Sequence, residues 1–209
     1  MKINIIGGGP AGMYFAILMK KANPAHNIAV YERNGPDDTF GWGVVFSGKT
    51  LANLRAADEE SHAEITRSFA AWENVDVIHR GEKISIHGNR FSGIARLQLL
   101  KILQRRCEQL GIELLFRTEI AELESLRAAC DLLVAADGVN STARKQYAEQ
   151  FVPSLDVRPN RYIWYGTNKL FHGLTLTFVD KDHVKAEWVG MENGKKACGH
   201  VADLVRKGR

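Results

Sequence analysis

Short apolar runs alternate along the chain with longer segments in which apolar residues recur at helical spacing. Lys2–Ile6 is an apolar run of strand length, residues 13–21 follow it as a helix, and residues 94–110 predict a long amphipathic helix. Further strands are predicted over residues 27–31, 112–116 and 131–136. The last of these is apolar throughout, which is typical of a strand buried on both faces. This alternation predicts an α/β fold, a parallel sheet with helices on both faces.

Other segments predict a second, smaller sheet. Residues 75–80 and 83–87 alternate between apolar and polar positions around Gly81, a pattern typical of a hairpin, and residues 51–72 predict one or two exposed helices. Residues 162–177 alternate like the first one or two strands of a sheet, whereas residues 179–209 follow no pattern that we can assign. The sequence therefore predicts an incomplete antiparallel fragment in addition to the parallel sheet.

The first strand runs into a glycine-rich turn, Gly7-Gly8-Gly9-Pro10-Ala11-Gly12. Gly7 permits a tight turn, Gly9 lets the main chain approach a pyrophosphate, and Gly12 lets helix and strand pack closely, while the helix N-terminus offers free N–H groups. Glu32 ends the second strand twenty residues after Gly12, where its carboxylate can accept hydrogen bonds from a ribose. The context favours a Rossmann-like dinucleotide site; the alternative is an ordinary glycine-rich turn with Glu32 as a surface acid.

A second polar turn follows the predicted strand at 131–136. It reads Asp137-Gly138-Val139-Asn140-Ser141-Thr142-Ala143-Arg144. Because ligands bind beyond the carboxyl ends of parallel strands, Asp137 is expected to emerge beside the glycine turn, where it could accept hydrogen bonds from a ligand. The alternative is a turn that only caps the following helix, with Ser141 as the cap.

A third stretch places glycines on both sides of a tryptophan, in Gly41-Trp42-Gly43, and an apolar run follows it. Glycines at these positions let the backbone pass close to a flat or bulky group. A hydrophobic turn that packs on the core explains the pattern equally well.

The composition narrows the range of functions. Cys107, Cys130 and Cys198 are widely spaced and form no CxxC pair, so neither disulfides nor a metal site are expected and a reducing cytoplasm is favoured. The net charge of +4 is spread along the chain, so no nucleic-acid partner is expected. Neither a secretory signal nor a membrane-spanning stretch is found, so no membrane partner is expected.

The two turns together resemble a known family. Gly7 to Gly12 with Glu32, followed by Asp137-Gly138 with Ser141 and Arg144, look like the two N-terminal fingerprints of the flavin-dependent aromatic hydroxylases. Residues 32–34 and 36–47 resemble more closely the monooxygenases that act on salicylyl-CoA or anthraniloyl-CoA. Residues 160–167 are similar to the same group and to the indole hydroxylase of violacein synthesis.

The resemblance implies an FAD site. The implied cofactor-binding residues are Gly7, Gly9, Pro10, Ala11, Gly12, Glu32, Arg33, Gly43, Val44, Val45, Phe46, Arg96, Asp137 and Gly138. The glycine turn would hold the pyrophosphate and Glu32 the adenosine ribose. Residues 43–46 would run past the flavin, Arg96 would contact the cofactor, and Asp137 with Gly138 would close the site.

The implied chemistry is reduction of FAD by NAD(P)H, reaction of the reduced flavin with dioxygen, and transfer of oxygen to a small aromatic or aromatic acyl-CoA substrate. Since the reactive oxygen belongs to the cofactor, the protein supplies position and exclusion of water, and no catalytic residue is assigned.

The resemblance covers residues 1 to about 176 and lacks the third fingerprint of the family, a Gly-Asp motif. The predicted domains are an FAD-binding domain over residues 1–158, the start of a substrate-domain sheet over 159–178, and an unmatched tail over 179–209. The function implied is a truncated FAD-dependent monooxygenase; the alternative is a catalytically silent nucleotide-binding remnant. An NAD-dependent dehydrogenase is a weaker alternative because no acid–base pair follows Arg144.

Overall fold

A computed structural model of the protein describes residues 1–157, 161–166, 174–181, 184–191 and 198–204. Side chains are described for residues 1–157, except Asn89, and for residues 174–178. Of the segment 160–167, which carries part of the family resemblance, the strand 161–166 is described, while Asn160 and Thr167 lie outside the described residues.

Strands and helices alternate in the order that the sequence predicts for the first part of the chain. The strands are β1 (Lys2–Ile6), β2 (Asn27–Glu32), β3 (Gly43–Ser47), β4 (Ala70–His79), β5 (Glu82–Ala95), β6 (Glu113–Phe116), β7 (Leu132–Ala135), β8 (Arg161–Gly166), β9 (Leu174–Lys181), β10 (Val184–Met191) and β11 (Cys198–Leu204). The helices are α1 (Pro10–Ala22), α2 (Gly48–Ala57), α3 (Glu59–Ser68), α4 (Arg96–Gln109), α5 (Leu123–Ala128), α6 (Thr142–Gln146) and α7 (Ala148–Phe151).

The chain divides into two units. The first contains Met1–Asp38 and Leu99–Leu155, and the second contains Thr39–Gln98 and Asp156–Arg209. These units are interleaved along the sequence, so their limits differ from the predicted boundaries at residues 158 and 178, which stay a prediction. None of the helices in the described ranges is long and apolar enough to cross a bilayer.

The first unit is built on a parallel sheet with the strand order β6-β2-β1-β7. Ile5 pairs with Val30 on one side and with Val134 on the other, which confirms the predicted parallel sheet and the α/β class. Ile3 and Ile5 are fully buried, and so are Met13, Ala16 and Ile17 of α1, the helix that packs on β1 and β2. The apolar residues of α1, which recur at helical spacing, thus form part of the core of this unit.

The strand β7 differs from the expectation that it is buried on both faces. Leu132, Leu133 and Val134 are half-buried and Ala135 is exposed. The physical reason is that β7 is at the edge of its sheet: in the described part of the chain it pairs with β1, and its other edge has no neighbouring strand. An apolar strand in this position leaves hydrophobic side chains and main-chain groups accessible.

The second unit contains a mixed sheet with the strand order β3-β5-β4-β9-β10-β11-β8. Strands β4 and β5 form the predicted hairpin, while β4 and β9 pair in parallel, with Val75 beside Leu174. Trp72, Val75 and Leu174 form a buried apolar cluster. The sheet is therefore larger than the predicted fragment, because it also takes in β3 to β5 and, with β10 and β11, part of the tail for which the sequence predicted no structure.

Candidate functional site

The glycine turn after β1 is shaped by close contacts that exclude larger residues. Gly7 has φ +103°, and a Cβ atom there would overlap the carbonyl oxygen of Ala136 and lie 2.9 Å from the amide nitrogen of Asp137. A Cβ on Gly12 would overlap the carbonyl oxygen of Gly7. The first strand, the helix α1 and the turn after β7 therefore meet at glycine positions, as the sequence predicts.

The N-terminus of α1 is open on the side where a phosphate is expected. Gly9 is the N-cap, with φ −74° and ψ 177°, and no side chain caps the helix. A Cβ atom on Gly9 would have no atom within 4 Å, so the main chain here faces open space. Pro10 begins the helix and the first turn carries no acidic residue. These features fit a group that brings negative charge to the helix N-terminus.

Glu32 lies across the glycine turn. Its Oε2 atom accepts a hydrogen bond from the amide of Gly8 at 2.8 Å, and its Oε1 atom accepts two from Asn34, from the main-chain N at 2.8 Å and from Nδ2 at 2.7 Å. A Cβ atom on Gly8 would lie 2.8 Å from Cβ of Glu32, so the turn and the acid are in direct contact. The structure thus brings together the turn and the acid that the sequence predicts for one nucleotide site.

Asp137 lies beside the glycine turn and also caps a helix. Its Oδ2 atom accepts hydrogen bonds from the main-chain N of Thr142 at 2.6 Å and of Ala143 at 3.3 Å. Ser141, the N-cap of α6, accepts a hydrogen bond from Arg144 N at 3.0 Å. The capping alternative is therefore observed for both side chains, and a contact of Asp137 with a ligand stays a prediction. Gly138 has φ +82°, which glycine adopts without strain.

A small pocket of about 60 Å³ opens between these parts of the first unit. Its lining includes Gly7, Glu32, Arg33, Thr118 and Asp137, so residues from four separate segments of the chain share one surface. Tyr31 also lines the pocket. Burial raises the pKa of the Tyr31 phenol, and the nearby carboxylate of Glu113 raises it further, so Tyr31 stays neutral at physiological pH.

The remaining predicted cofactor residues belong to the second unit. The strand Gly43–Ser47 pairs antiparallel with β5, with Phe46 buried and Val45 exposed. The main-chain N of Arg96 donates to the carbonyl oxygen of Trp42 at 2.9 Å, which ties the start of α4 to the start of β3. The Nε atom of Arg96 is buried and has no hydrogen-bond partner among the described residues. An unpaired buried guanidinium nitrogen fits a residue that binds a further group.

Sequence reasoning missed two contacts of Glu32. Gly8 and Asn34 were not singled out, although Asn34 stands two residues beyond the acid in a turn-rich segment. An asparagine in such a segment commonly hydrogen-bonds neighbouring groups, which is the signal that could have drawn attention to it.

The fold and the turn–acid pair are those of a dinucleotide-binding α/β unit, and comparison with known proteins finds relatives among the aromatic hydroxylases and monooxygenases. No protein-family model matches the chain. The chain is 38% identical over 186 residues to salicyloyl-CoA 5-hydroxylase from a Streptomyces species, covering 88% of this chain and 35% of the relative. It is 33% identical over 180 residues to 3-hydroxy-4-methyl-anthranilyl-(aryl-carrier protein) 5-monooxygenase from Streptosporangium sibiricum, covering 86% of this chain and 50% of the relative.

A third relative is protodeoxyviolaceinate monooxygenase from Chromobacterium violaceum, at 34% identity over 182 residues, covering 85% of this chain and 48% of the relative. The resemblance to the aromatic hydroxylases is therefore confirmed. The chain spans about a third to a half of the length of these curated relatives.

Solved structures share the fold. PqsL of P. aeruginosa in complex with 2-aminobenzoylacetate has a TM-score of 0.74 at 18% identity, covering 98% of this chain and 60% of that one. CtdE in complex with FAD and substrate 4 has a TM-score of 0.72 at 14% identity, covering 100% of this chain and 58% of that one. At these identities the similarity establishes the fold of the chain.

Proposed function

We propose that this chain forms the FAD-binding part of a flavin-dependent monooxygenase that hydroxylates an aromatic substrate. The observation that carries the proposal is the contact of Glu32 with the glycine turn, through Gly8, beside the open N-terminus of α1. A carboxylate at the end of the second strand, next to free helix N–H groups, is the arrangement that binds the ribose and pyrophosphate of a dinucleotide. The relatives, one named as a hydroxylase and two as monooxygenases, support the oxygenase chemistry.

Each predicted residue then has a physical role. The main-chain N–H groups of the glycine turn bind the pyrophosphate, and the Glu32 carboxylate accepts hydrogen bonds from the adenosine ribose, with Arg33 at the rim of the same pocket. Asp137 holds the turn after β7 in place through its caps and, with Gly138, borders the site. In the second unit, residues 43–46 follow the flavin and the Arg96 guanidinium contacts the cofactor.

Bound FAD supplies the redox chemistry, with NAD(P)H as the reductant and dioxygen as the oxidant. The chain's own residues bind and orient the cofactor and keep water from its reactive face. The substrate is a small aromatic compound or an aromatic acyl thioester of coenzyme A, a class supported by the relative that is named for salicyloyl-CoA. A cytoplasmic location agrees with the free thiols of Cys107 and Cys130.

A second candidate function is a nucleotide-binding protein without turnover. It is favoured by the contact of Glu32 with Gly8 beside the open N-terminus of α1, since this arrangement accounts for nucleotide binding by itself. The ADP half of FAD is held chiefly by main-chain N–H groups and by Glu32, which are in place here. Where water reaches the flavin ring, reaction of the reduced flavin with dioxygen releases hydrogen peroxide in preference to hydroxylating a substrate.

The first experiment is a titration of the purified chain with FAD, followed by calorimetry or flavin fluorescence. We expect Glu32→Ala to weaken FAD binding by about 1 to 3 kcal/mol, the range for loss of hydrogen bonds to a charged group. Glu149→Ala is the matched control, because Glu149 is exposed in α7 and does not line the pocket beside Glu32. Equal affinity in both variants and the wild type would contradict the proposed site.

The second experiment separates the two candidate functions. The chain is mixed with FAD, NAD(P)H and an aromatic acyl-CoA thioester, and hydroxylated product and hydrogen peroxide are measured separately. Coupled product at about 10 per second, a usual enzyme rate, supports the monooxygenase. Oxidation of NAD(P)H that yields only peroxide, or FAD binding with no oxidation, supports the protein without turnover.

A further inference from the structure

The carboxylate of Glu32 accepts hydrogen bonds from three N–H donors, and two of them belong to Asn34. The amide Nδ2 of Asn34 lies 2.7 Å from Oε1 of Glu32, a short distance that is typical of a hydrogen bond to an ionised acceptor. Glu32 is thus held from the side of its own strand by Asn34 and from the opposite side by Gly8.

We propose that Asn34 is a positioning residue of the nucleotide site. Its carboxamide holds the Glu32 carboxylate across the glycine turn, in the orientation that receives a ribose hydroxyl. This inference rests on the proposed FAD function and adds to it a residue that determines how well the ribose is bound.

The main chain around Asn34 is fixed by contacts that do not involve the Glu32 side chain. The carbonyl oxygen of Asn34 accepts a hydrogen bond from Arg117 N at 3.1 Å, and that of Glu32 accepts one from Thr118 N at 2.9 Å. The next residue, Gly35, donates its N–H to Oδ2 of Asp38 at 2.7 Å. The carboxamide of Asn34 is therefore presented from an anchored backbone.

The other side of Glu32 is fixed by packing. Because a Cβ atom on Gly8 would lie 2.8 Å from Cβ of Glu32 and 3.2 Å from its Cγ, the stem of the side chain rests directly on the turn. With the stem and both oxygens held, Glu32 loses less conformational freedom when it binds a ligand. A carboxylate has about four acceptor positions, so three N–H donors leave capacity for a ribose hydroxyl.

The chemistry of this position requires a donor. An alanine at 34 keeps the main-chain hydrogen bond and removes the one from Nδ2, so the Glu32 side chain is held less firmly. An aspartate has nearly the same shape as asparagine, yet it places a second carboxylate against Glu32, and the two repel each other. If Asn34 acts by donating a hydrogen bond, nucleotide affinity should fall in the order Asn, Ala, Asp at position 34. If it acts only through the shape of the turn, the aspartate variant should bind nucleotide like the wild type.

The test measures the dissociation constants of ADP and 2′,3′-dideoxy-ADP for the wild type, Asn34→Ala and Asn34→Asp. We expect Asn34→Ala to weaken ADP binding about tenfold, the effect of one hydrogen bond to a charged group, and Asn34→Asp to weaken it more. The dideoxy ligand lacks the ribose hydroxyls, so the three proteins should bind it with nearly equal affinity. In the Glu32→Ala background, Asn34→Ala should have no further effect.

Asn23→Ala is the matched control, because Asn23 also makes a side-chain hydrogen bond in a turn, where its Oδ1 atom accepts from Ala25 N at 2.9 Å at the end of α1. It should bind ADP like the wild type. If the wild type binds ADP and both Asn34→Ala and Asn34→Asp bind it with the affinity of the wild type, the positioning role is overturned and the proposed function stands. If the wild type binds neither ADP nor FAD, both are overturned. Equal losses for ADP and the dideoxy ligand would show a general effect on the fold and would also overturn the positioning role.

Discussion

Gly12 packs directly against the carbonyl group of Gly7, so close that a side chain at position 12 would overlap the oxygen. Because both partners are backbone, neither can move aside without shifting β1 or α1. We expect Gly12→Ala to lower the free energy of unfolding by about 1 to 3 kcal/mol, the usual cost of an added methyl group in a packed site. Thermal unfolding followed by circular dichroism measures the change.

Gly9→Ala is the control that separates folding from binding. Gly9 has an extended backbone that alanine adopts freely, and its Cβ atom would enter open space. We expect this variant to unfold at the wild-type temperature but to bind FAD more weakly, since the methyl group occupies space that the pyrophosphate approaches. A Gly9→Ala protein with full FAD affinity would place the phosphates elsewhere.

Asp137 should contribute to stability through its capping contacts. Asp137→Ala removes the acceptor of the main-chain N–H groups of Thr142 and Ala143, and we expect a loss of about 1 kcal/mol, the typical effect of a lost cap. Asp137→Asn keeps an acceptor oxygen and should lose less. Chemical denaturation of the two variants and the wild type tests this order, and equal stability of all three would contradict it.

Asp76 and Lys83 form an ion pair on the β4–β5 hairpin, with Oδ2 and Nζ 2.7 Å apart. Hydrogen bonds from Lys83 and then from Ser85 lower the pKa of Asp76 below its ordinary value. A lowered pKa stabilises the fold above the ordinary carboxyl range, and this contribution is lost as the pH falls through the lowered value. In Lys83→Met the pKa of Asp76 should rise, so acid unfolding should begin at a higher pH.

The control for this prediction is Arg90→Met. Arg90 pairs with Glu73 at 3.1 Å on the same two strands, but both side chains are largely exposed, at 81% and 75%. Exposed pairs contribute little to stability, so the acid transition should stay where it is in the wild type. A pH titration of near-ultraviolet circular dichroism reports both variants, and an equal shift in the two would show a general charge effect.

The open edge of β7 should make the isolated chain prone to self-association. Its edge opposite β1 has no neighbouring strand in the described part of the chain, so main-chain groups along that edge are open to pairing. Leu132 and Phe151, which is 59% exposed, also line a groove of about 800 Å³ beside this strand. Lysine at an edge discourages pairing, so Leu132→Lys should reduce association in light scattering at rising protein concentration.

Val139→Lys is the control for the edge, since it adds the same charge at a turn residue that is 82% exposed. It should associate like the wild type. An equal reduction in both variants would indicate that net charge, and not the edge of β7, governs association.

The sequence predicts elements best where the partners lie near each other along the chain. The β1-α1-β2 segment can be predicted directly from its apolar spacing and its glycines, because the steric limits at Gly7 and Gly12 are local. The parallel pairing of Val75 with Leu174 joins segments that are remote in the sequence, and no local pattern indicates it. The exposure of β7 also depends on whether it has a second neighbour, which its own apolar residues do not determine.

The candidate site shows the same division. The proximity of the Asp137 turn to the glycine turn could be predicted because adjacent parallel strands end at the same edge. The hydrogen bonds from Gly8 and Asn34 to Glu32 depend on side-chain rotamers and on the shape of the 32–35 turn, which hydrophobic patterning does not specify. The polar turn that contains Asp137 is compatible with both ligand contact and helix capping. Only the structure identifies the main-chain amides that donate hydrogen bonds to the Asp137 carboxylate.

Because Ile5 pairs with Val134, the first sheet is completed only after β7 has been synthesised. During synthesis β1, α1 and β2 leave the ribosome together, and they can form their local contacts early. The carbonyl group of Ala136 packs against Gly7, and Ala136 is synthesised only after most of the first unit has been translated. The nucleotide pocket of the nascent chain is therefore completed late, and a nucleotide that stabilises it acts after β7 has emerged.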